Sequence, residues 1–292
     1  MAQQPASPSS FSQFEDFTRY FDLSLALSRK QRAIVYQIRY GVYCEEFGYE
    51  PAEDFDDNQE MDEFDSQSVH CLATHRASGL PAGCVRLVMV KGNDKTPMEK
   101  HAGNKLDKAF IAQFDNQRHT LCEISRLAVS AAFRRRRGES QSRRSDSDHL
   151  SPDKHERRTF PLISLALILG AGVVADILER KNCFSIMEPA LPIVLRRAGM
   201  NFRRVSKNFD FRGVRAAYYG NIDELIGNAP TELREYFSVL HQQFTPLLLA
   251  GKKNDSTSFT ADTFAVENSS LRRTLMMISD ANIALHWQWL PS

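Results

Sequence analysis

From Phe160 to Ile177 the chain is apolar almost without interruption, and few folds accommodate such a segment. A helix that is hydrophobic all round belongs in the middle of a protein or in a bilayer. A bilayer span needs about 20 such residues. This run is shorter, holds Asp176 and the glycines Gly170 and Gly172, and is followed at once by Glu179, Arg180 and Lys181. It reads as a buried core helix, with Thr159 as its N-cap and Pro161 at its first position.

The segments around it predict what covers it. Phe11, Phe14, Phe17 and Phe21 recur at three- and four-residue steps, as on a short helix with an aromatic face. Ser28 caps a second helix with Ile34, Val35, Ile38 and Val42 on one side, ended by Gly48 and Pro51. Arg39 and Tyr43, four apart, share a face of it. Val69 to His75 and Gly83 to Val90 read as a hairpin, with His70 and His75 as strand-surface residues. A short helix is expected around Leu106 to Phe114, and Leu121 to Val129 is a third strand. Beyond the core helix come a strand at Cys183 to Met187, a helix from Pro189 to Arg197 closed by Gly199, and strands at Phe202 to Val205 and Arg212 to Tyr219. Leu233, Tyr236, Phe237, Leu240 and Phe244 then form one apolar helical stripe, and a last segment runs from Leu271 to Leu290.

This order predicts an α/β fold, a mixed and mostly antiparallel central sheet flanked by helices. Neither G-x-G-x-x-G nor G-x-x-x-x-G-K-[ST] occurs, which argues against dinucleotide-binding and P-loop enzymes. The expected organisation is a disordered or weakly helical tail over 1–19, a catalytic domain over 20–224 with a flexible insertion at 138–158, and a helical extension over 225–292.

The net charge is only +1 over 292 residues, so nothing global points to nucleic acid. Cys44, Cys71, Cys84, Cys122 and Cys183 lack any C-x-x-C pairing and make neither a disulfide framework nor a zinc site. No metal is expected. A reducing cytoplasm suits them, and the N-terminus lacks the pattern of a signal peptide.

The stretch Gln59-Glu60-Met61-Asp62-Glu63-Phe64-Asp65 has two readings. It is a solvated acidic loop, or a site where carboxylates hold and deprotonate a cationic amine, like charges lifting a carboxyl pKa. Its company favours the second. Arg39, Tyr43 and Tyr49 precede it, and Arg86 and then Glu123, Ser125 and Arg126 follow. In order and spacing this set resembles the acyl-homoserine-lactone synthase branch of the GNAT acyltransferase superfamily. Arg39 to Glu46, Glu123 to Val129 and Arg196 to Phe202 resemble more closely the related N-acyl amino acid synthases, above all the acyltransferases associated with the PEP-CTERM/exosortase system. The resemblance covers roughly residues 20–220.

The resemblance implies a GNAT acyltransferase fold and transfer of an acyl group from an acyl-carrier-protein thioester to a primary amine of an amino acid or similar molecule. Glu60 is the candidate base, with Glu123 and Ser125 as further catalytic candidates. Asp62 and Asp65 hold the amine, and Arg39, Tyr43, Tyr49, Arg86 and Arg126 bind substrate. A splayed strand over Leu121 to Val129 offers backbone N–H groups to the thioester oxyanion. Glu123 and Arg126, three apart, face opposite sides of a regular strand, so lining one site requires a bulge near Ser125.

Other readings stay open. Arg39, Arg86 and Arg126 contact substrate, neutralise the acids in a buried network, or do both, since such a network also offers a fork to a substrate carboxylate. Arg134, Arg135, Arg136 and Arg137 stand where GNAT enzymes bind pyrophosphate, but only Gly138 of the glycine pattern is present. The run therefore suits an acidic acyl carrier protein and its phosphopantetheine, with acyl-CoA the less favoured donor, or it is a solvated basic linker. No bound cofactor is expected. Tyr49 stands where the lactone synthases carry Trp, which leans away from S-adenosylmethionine chemistry. The rivals are a homoserine-lactone synthase and a catalytically silent GNAT-like binding module. The expected setting is cytoplasmic, with room for peripheral contact at the inner membrane.

Overall fold

The computed structural model describes residues 11–134 and 155–252. Expectations for residues 1–10, for Arg135, Arg136 and Arg137 with most of the 138–158 insertion, and for Leu271 to Leu290 lie outside the described residues. The first part runs α1 (Phe11–Tyr20), β1 (Phe21–Leu25), α2 (Arg29–Tyr40), β2 (Ser68–His75), β3 (Pro81–Met89), α3 (Pro97–Ala102), α4 (Lys108–Ala112) and β4 (Leu121–Val129). After it come α5 (Glu156–Thr159), α6 (Leu162–Ile177), β5 (Asn182–Met187), α7 (Leu191–Arg197), β6 (Arg203–Arg204), β7 (Phe209–Asp210), β8 (Val214–Asn221), α8 (Ile222–Gly227) and α9 (Thr231–Lys252).

The strands form one sheet in the order β1-β2-β3-β4-β5-β8-β6, with β7 pairing β8. Among the described strands only β4 and β5 pair in parallel; every other pair is antiparallel. One face carries α6, whose residues from Ala166 to Ala175 are all buried. α9 lies on α6 from outside and buries Leu233, Tyr236, Phe237, Leu240 and Phe244 against it, so the apolar run is covered on both sides. Gly172 sits under Phe237, where a Cβ would lie 3.9 Å from the ring. The other face carries α2 over β2, β3 and β4, and α3 and α4 over the β5–β8 half. No helix among the described residues is long and apolar enough to cross a membrane.

Local chemistry fixes the element starts. Ser28 and Gln31 form a reciprocal capping box at the head of α2. Beyond Tyr40 the helix widens into a π-helical turn, Gly41–Glu46. α6 does not begin on Thr159, whose hydroxyl donates back to the Glu156 carbonyl within α5; Pro161 holds the cap position. α7 starts at Leu191, two residues after the expected point. Phe21 opens β1, a strand the aromatic spacing reads as helix; Phe14, Phe17 and Phe21 are nonetheless all buried.

His70 and His75 are corrections: both are buried, because β2 is covered by helices on both faces. Burial holds His70 down to about 3 despite Asp65 at 3.5 Å, so its ring stays neutral. His75 faces Glu156 at 2.8 Å and ties the end of β2 to α5.

Candidate active site

β4 and β5 pair over three residues, Leu121 with Asn182, Cys122 with Cys183 and Glu123 with Phe184, and then part. Ser185 donates to the Ile124 carbonyl at 2.8 Å where the two strands separate. Beyond it the β5-facing edge of β4 has no strand partner among the described residues. A cleft of about 520 Å³ opens in the gap, lined from β4 by Glu123 to Leu127 and Val129 and from β5 by Ser185 to Glu188.

The bulge that the Glu123–Arg126 spacing demands is present. The β3–β4 register jumps between Cys84, opposite Ala128, and Arg86, opposite Ser125, so Arg126 and Leu127 together face Val85. Arg126 takes a positive φ of 52°, uncommon for a residue with a Cβ. Two side chains brace it. Tyr43, from the π-helical turn, donates to the Leu127 carbonyl at 2.9 Å, and the Arg126 guanidinium lies 5.6 Å from the Tyr43 ring centre. The result is that Glu123, Ser125 and Arg126 all line the cleft.

Glu123 is almost wholly buried, yet it is one of the residues that line the cleft. Burial pushes it up to about 7, against the opposing pull of the Met98 N–H, which donates to it at 2.7 Å, and of Arg86. A carboxyl at that value exchanges a proton near neutral pH.

The acidic stretch behaves differently. Glu60 is fully buried and accepts from Arg39 Nε at 2.5 Å and Arg126 Nε at 3.1 Å. Asp65 takes the two Arg39 Nη groups at 2.6 and 3.0 Å and Arg86 at 3.1 Å. Asp62 pairs with Arg86 at 2.5 Å and Arg126 at 3.1 Å. Burial would raise all three carboxyls, but the arginines more than offset it, and each ends below its ordinary value. The expectation that like charges lift Glu60 toward neutral pH is thus reversed by its partners. The buried network expected of the arginines is built here, and it leaves Arg126 on the cleft. Glu60, Asp62, Asp65, Arg39 and Arg86 stand behind the cleft wall and are not part of its lining.

Tyr43, Tyr49, Glu123, Ser125, Arg126 and Arg134 do meet at the cleft. Arg134 lies over the Phe47 ring at 5.1 Å and pairs with Glu46. Sequence reasoning missed His101, Glu50, Phe211, Arg212 and Arg215. Glu50 bridges Arg126, at 3.2 Å, and Arg212, while Arg215 pairs with Glu188 at 3.0 Å. Every arginine lining the cleft therefore has a carboxylate partner. His101 is held below its usual range, first by burial and then by Arg126 and Arg212. The one sequence signal for this group was Arg212-Gly213, a turn between two strands. On the α6 side the cleft becomes apolar, lined by Val129, Ile168, Met187, Leu191 and Phe202.

Residues 38–142 match the acetyltransferase (GNAT) domain family. No curated protein matches the chain. Among solved structures, TofI in a ternary complex with an inhibitor and MTA superposes with a TM-score of 0.50 at 18% identity, over 74% of this chain and 96% of that one. The AHL synthase LasI gives 0.47 at 14% identity, over 73% and 98%. FeeM, an N-acyl amino acid synthase from uncultured soil microbes, gives 0.47 at 10% identity, over 72% and 94%. At these identities the likeness is one of fold. The chain thus carries an acetyltransferase (GNAT) domain match over residues 38–142, set in a GNAT-like α/β fold.

Proposed function

We propose that this chain is an N-acyltransferase that moves a fatty acyl group from an acyl-carrier-protein thioester to the amine of an amino acid or similar small molecule. The observation that carries the reading is Glu123, a buried carboxyl at about 7 where β4 and β5 part. The amine arrives largely as ammonium, and the Glu123 carboxylate takes one of its protons. The freed nitrogen attacks the thioester carbonyl carbon. The new C–N bond places negative charge on the carbonyl oxygen, and in this reading backbone N–H groups along the edge of β4 where it parts from β5 receive it. Collapse breaks the C–S bond, and the departing thiolate takes the second nitrogen proton. Glu123 then releases its own proton to water.

In this reading the arginine network keeps Glu60 ionised and holds Arg126, and with it the bulge, in place. That gives Glu60 a positioning part and Glu123 the proton-accepting one. The apolar walls formed by Val129, Ile168 and Leu191 take the acyl chain. Arg134 at the cleft is the described end of the basic run offered to the carrier protein. The resemblance of Arg39 to Glu46, Glu123 to Val129 and Arg196 to Phe202 supports kinship with the PEP-CTERM/exosortase-associated acyltransferases.

The test is thiol release by the purified chain from long-chain acyl carrier protein with mixed amino acids, compared with Glu123→Gln. The wild type should turn over and the variant fall by about 10²–10⁴-fold. Absence of thiol release over a broad acyl panel would reject an enzyme of this type. Methylthioadenosine released from S-adenosylmethionine would replace the proposal with a lactone synthase.

A further inference from the structure

The outer edge of the sheet, remote from the acidic network, carries a group of cations that form no ion pair among the described residues. β6 is the last strand, and the chain around it is stitched to the segment before α4. The Lys207 N–H donates to the Lys105 carbonyl, Leu106 bridges Ser206, and the Asp107 N–H donates to the Val205 carbonyl at 2.9 Å. This brings Lys105, Lys108, Arg204 and Lys207 to one exposed edge, with Arg203 beside them over the Phe110 ring at 4.5 Å. None of the five has a carboxylate within ion-pair distance among the described residues. The nearby Asp107 carboxylate caps α4 instead, accepting the Phe110 N–H at 3.1 Å. The contrast with the cleft, where every arginine is paired, is what calls for an external anion.

Five residues upstream, α7 adds the other half. Ile193 is 45% exposed and Val194 58%. They share a helix face with the exposed Arg197, three and four positions on. Two aliphatic side chains held out among cations suit a lipid interface, where the apolar groups enter the acyl boundary and the cations meet anionic headgroups. Leu191 and Phe202, at the two ends of this segment, both line the cleft.

We propose that the β6 edge, with α7 on the α6 side of the sheet and α4 on the opposite side, docks edge-on against an anionic bilayer surface, resting the cleft against the phase into which a fatty acyl product partitions. Only that last purpose depends on the proposed acyl transfer; docking itself does not.

The test is vesicle co-sedimentation of the full chain without substrate, using phosphatidylcholine vesicles with and without about one third phosphatidylglycerol. Each cation near an anionic surface is commonly worth about fivefold in binding. Binding should therefore be at least tenfold tighter to the anionic vesicles, weaken with added salt, and fall at least tenfold in R203S/R204S/K207S. Ile193→Ser with Val194→Ser should leave a weaker binding that salt fully releases. No binding, equal binding to both vesicle types, or unchanged binding by the triple variant with a wild-type thermal melt would overturn the proposal. So would acyl carrier protein, and not vesicles, binding through these cations. Because no turnover is measured, a missing acyl-transfer activity would leave the vesicle result standing, and the reverse also holds.

Discussion

Replacing Glu123 with Gln should stabilise the protein at alkaline pH while removing its chemistry. A rise from 4.5 to about 7 means that the folded state holds this proton more tightly than the unfolded chain does. At 1.36 kcal/mol per pKa unit that preference is worth about 3 kcal/mol. The sign follows from the direction of the shift. Stabilisation by the neutral acid is fully present below pH 4.5 and is lost as pH climbs through 7, where the carboxylate must sit ionised in a buried place. Gln keeps the shape and an acceptor for the Met98 N–H, but it never ionises. The stability difference, variant minus wild type, should therefore grow by about 3 kcal/mol between pH 5 and pH 8.5. That is about 6–12 °C in melting temperature for a domain of this size. Urea unfolding of both proteins at the two pH values isolates the effect, since every other titrating group is common to both. Parallel stability–pH curves would show that Glu123 titrates normally, and would remove the reason for assigning it the amine proton.

Glu60→Gln should lower stability by about 1.5–3 kcal/mol, because Arg39 keeps Asp65 and Arg126 keeps Asp62 and Glu50 but both lose a buried charge-assisted partner; an unchanged urea midpoint would show that the network is not built as described. Tyr43→Phe removes the donor to the Leu127 carbonyl and should cost about 1 kcal/mol. Its larger effect should fall on kcat, with KM for the thioester little changed, and equal losses in both would argue against a positioning part. Arg134→Ala should raise KM several-fold for a carrier-protein thioester and leave small thioesters nearly unaffected, as steady-state kinetics on the two donors would show.

Much of the frame was legible because its signals are local. The run into α6 carries its burial in its composition, the β2–β3 hairpin and β4 announce themselves by apolar strand-like runs between turns, and the stripe of α9 has helical spacing. Even the bulge followed from one distance, the three-position step from Glu123 to Arg126. What stayed hidden depends on partners remote in sequence. Counting charges between Glu60 and Asp65 suggests mutual repulsion, while the arginines that reverse it lie 21 to 66 residues away. β1 was hidden because Phe17 and Phe21 fit a helical step as readily as Phe21, Leu23 and Leu25 fit a strand. His101, Glu50 and Arg212 come from helix ends and turns, where periodicity carries no information; only the fold brings His101 and Arg212 to the cleft and Glu50 to its arginines.

The contact between Gly172 and Phe237 ties two distant stretches of the chain into one evolutionary unit. α6 can afford an apolar outer face only while α9 lies over it. Any related chain that stops short of an α9 should carry a polar side chain where this one has Gly172, so that single position would mark the shorter architecture. Conversely, a chain trimmed just ahead of Thr231 would keep α6 without the cover of α9, and should be recovered as aggregate rather than as a smaller enzyme.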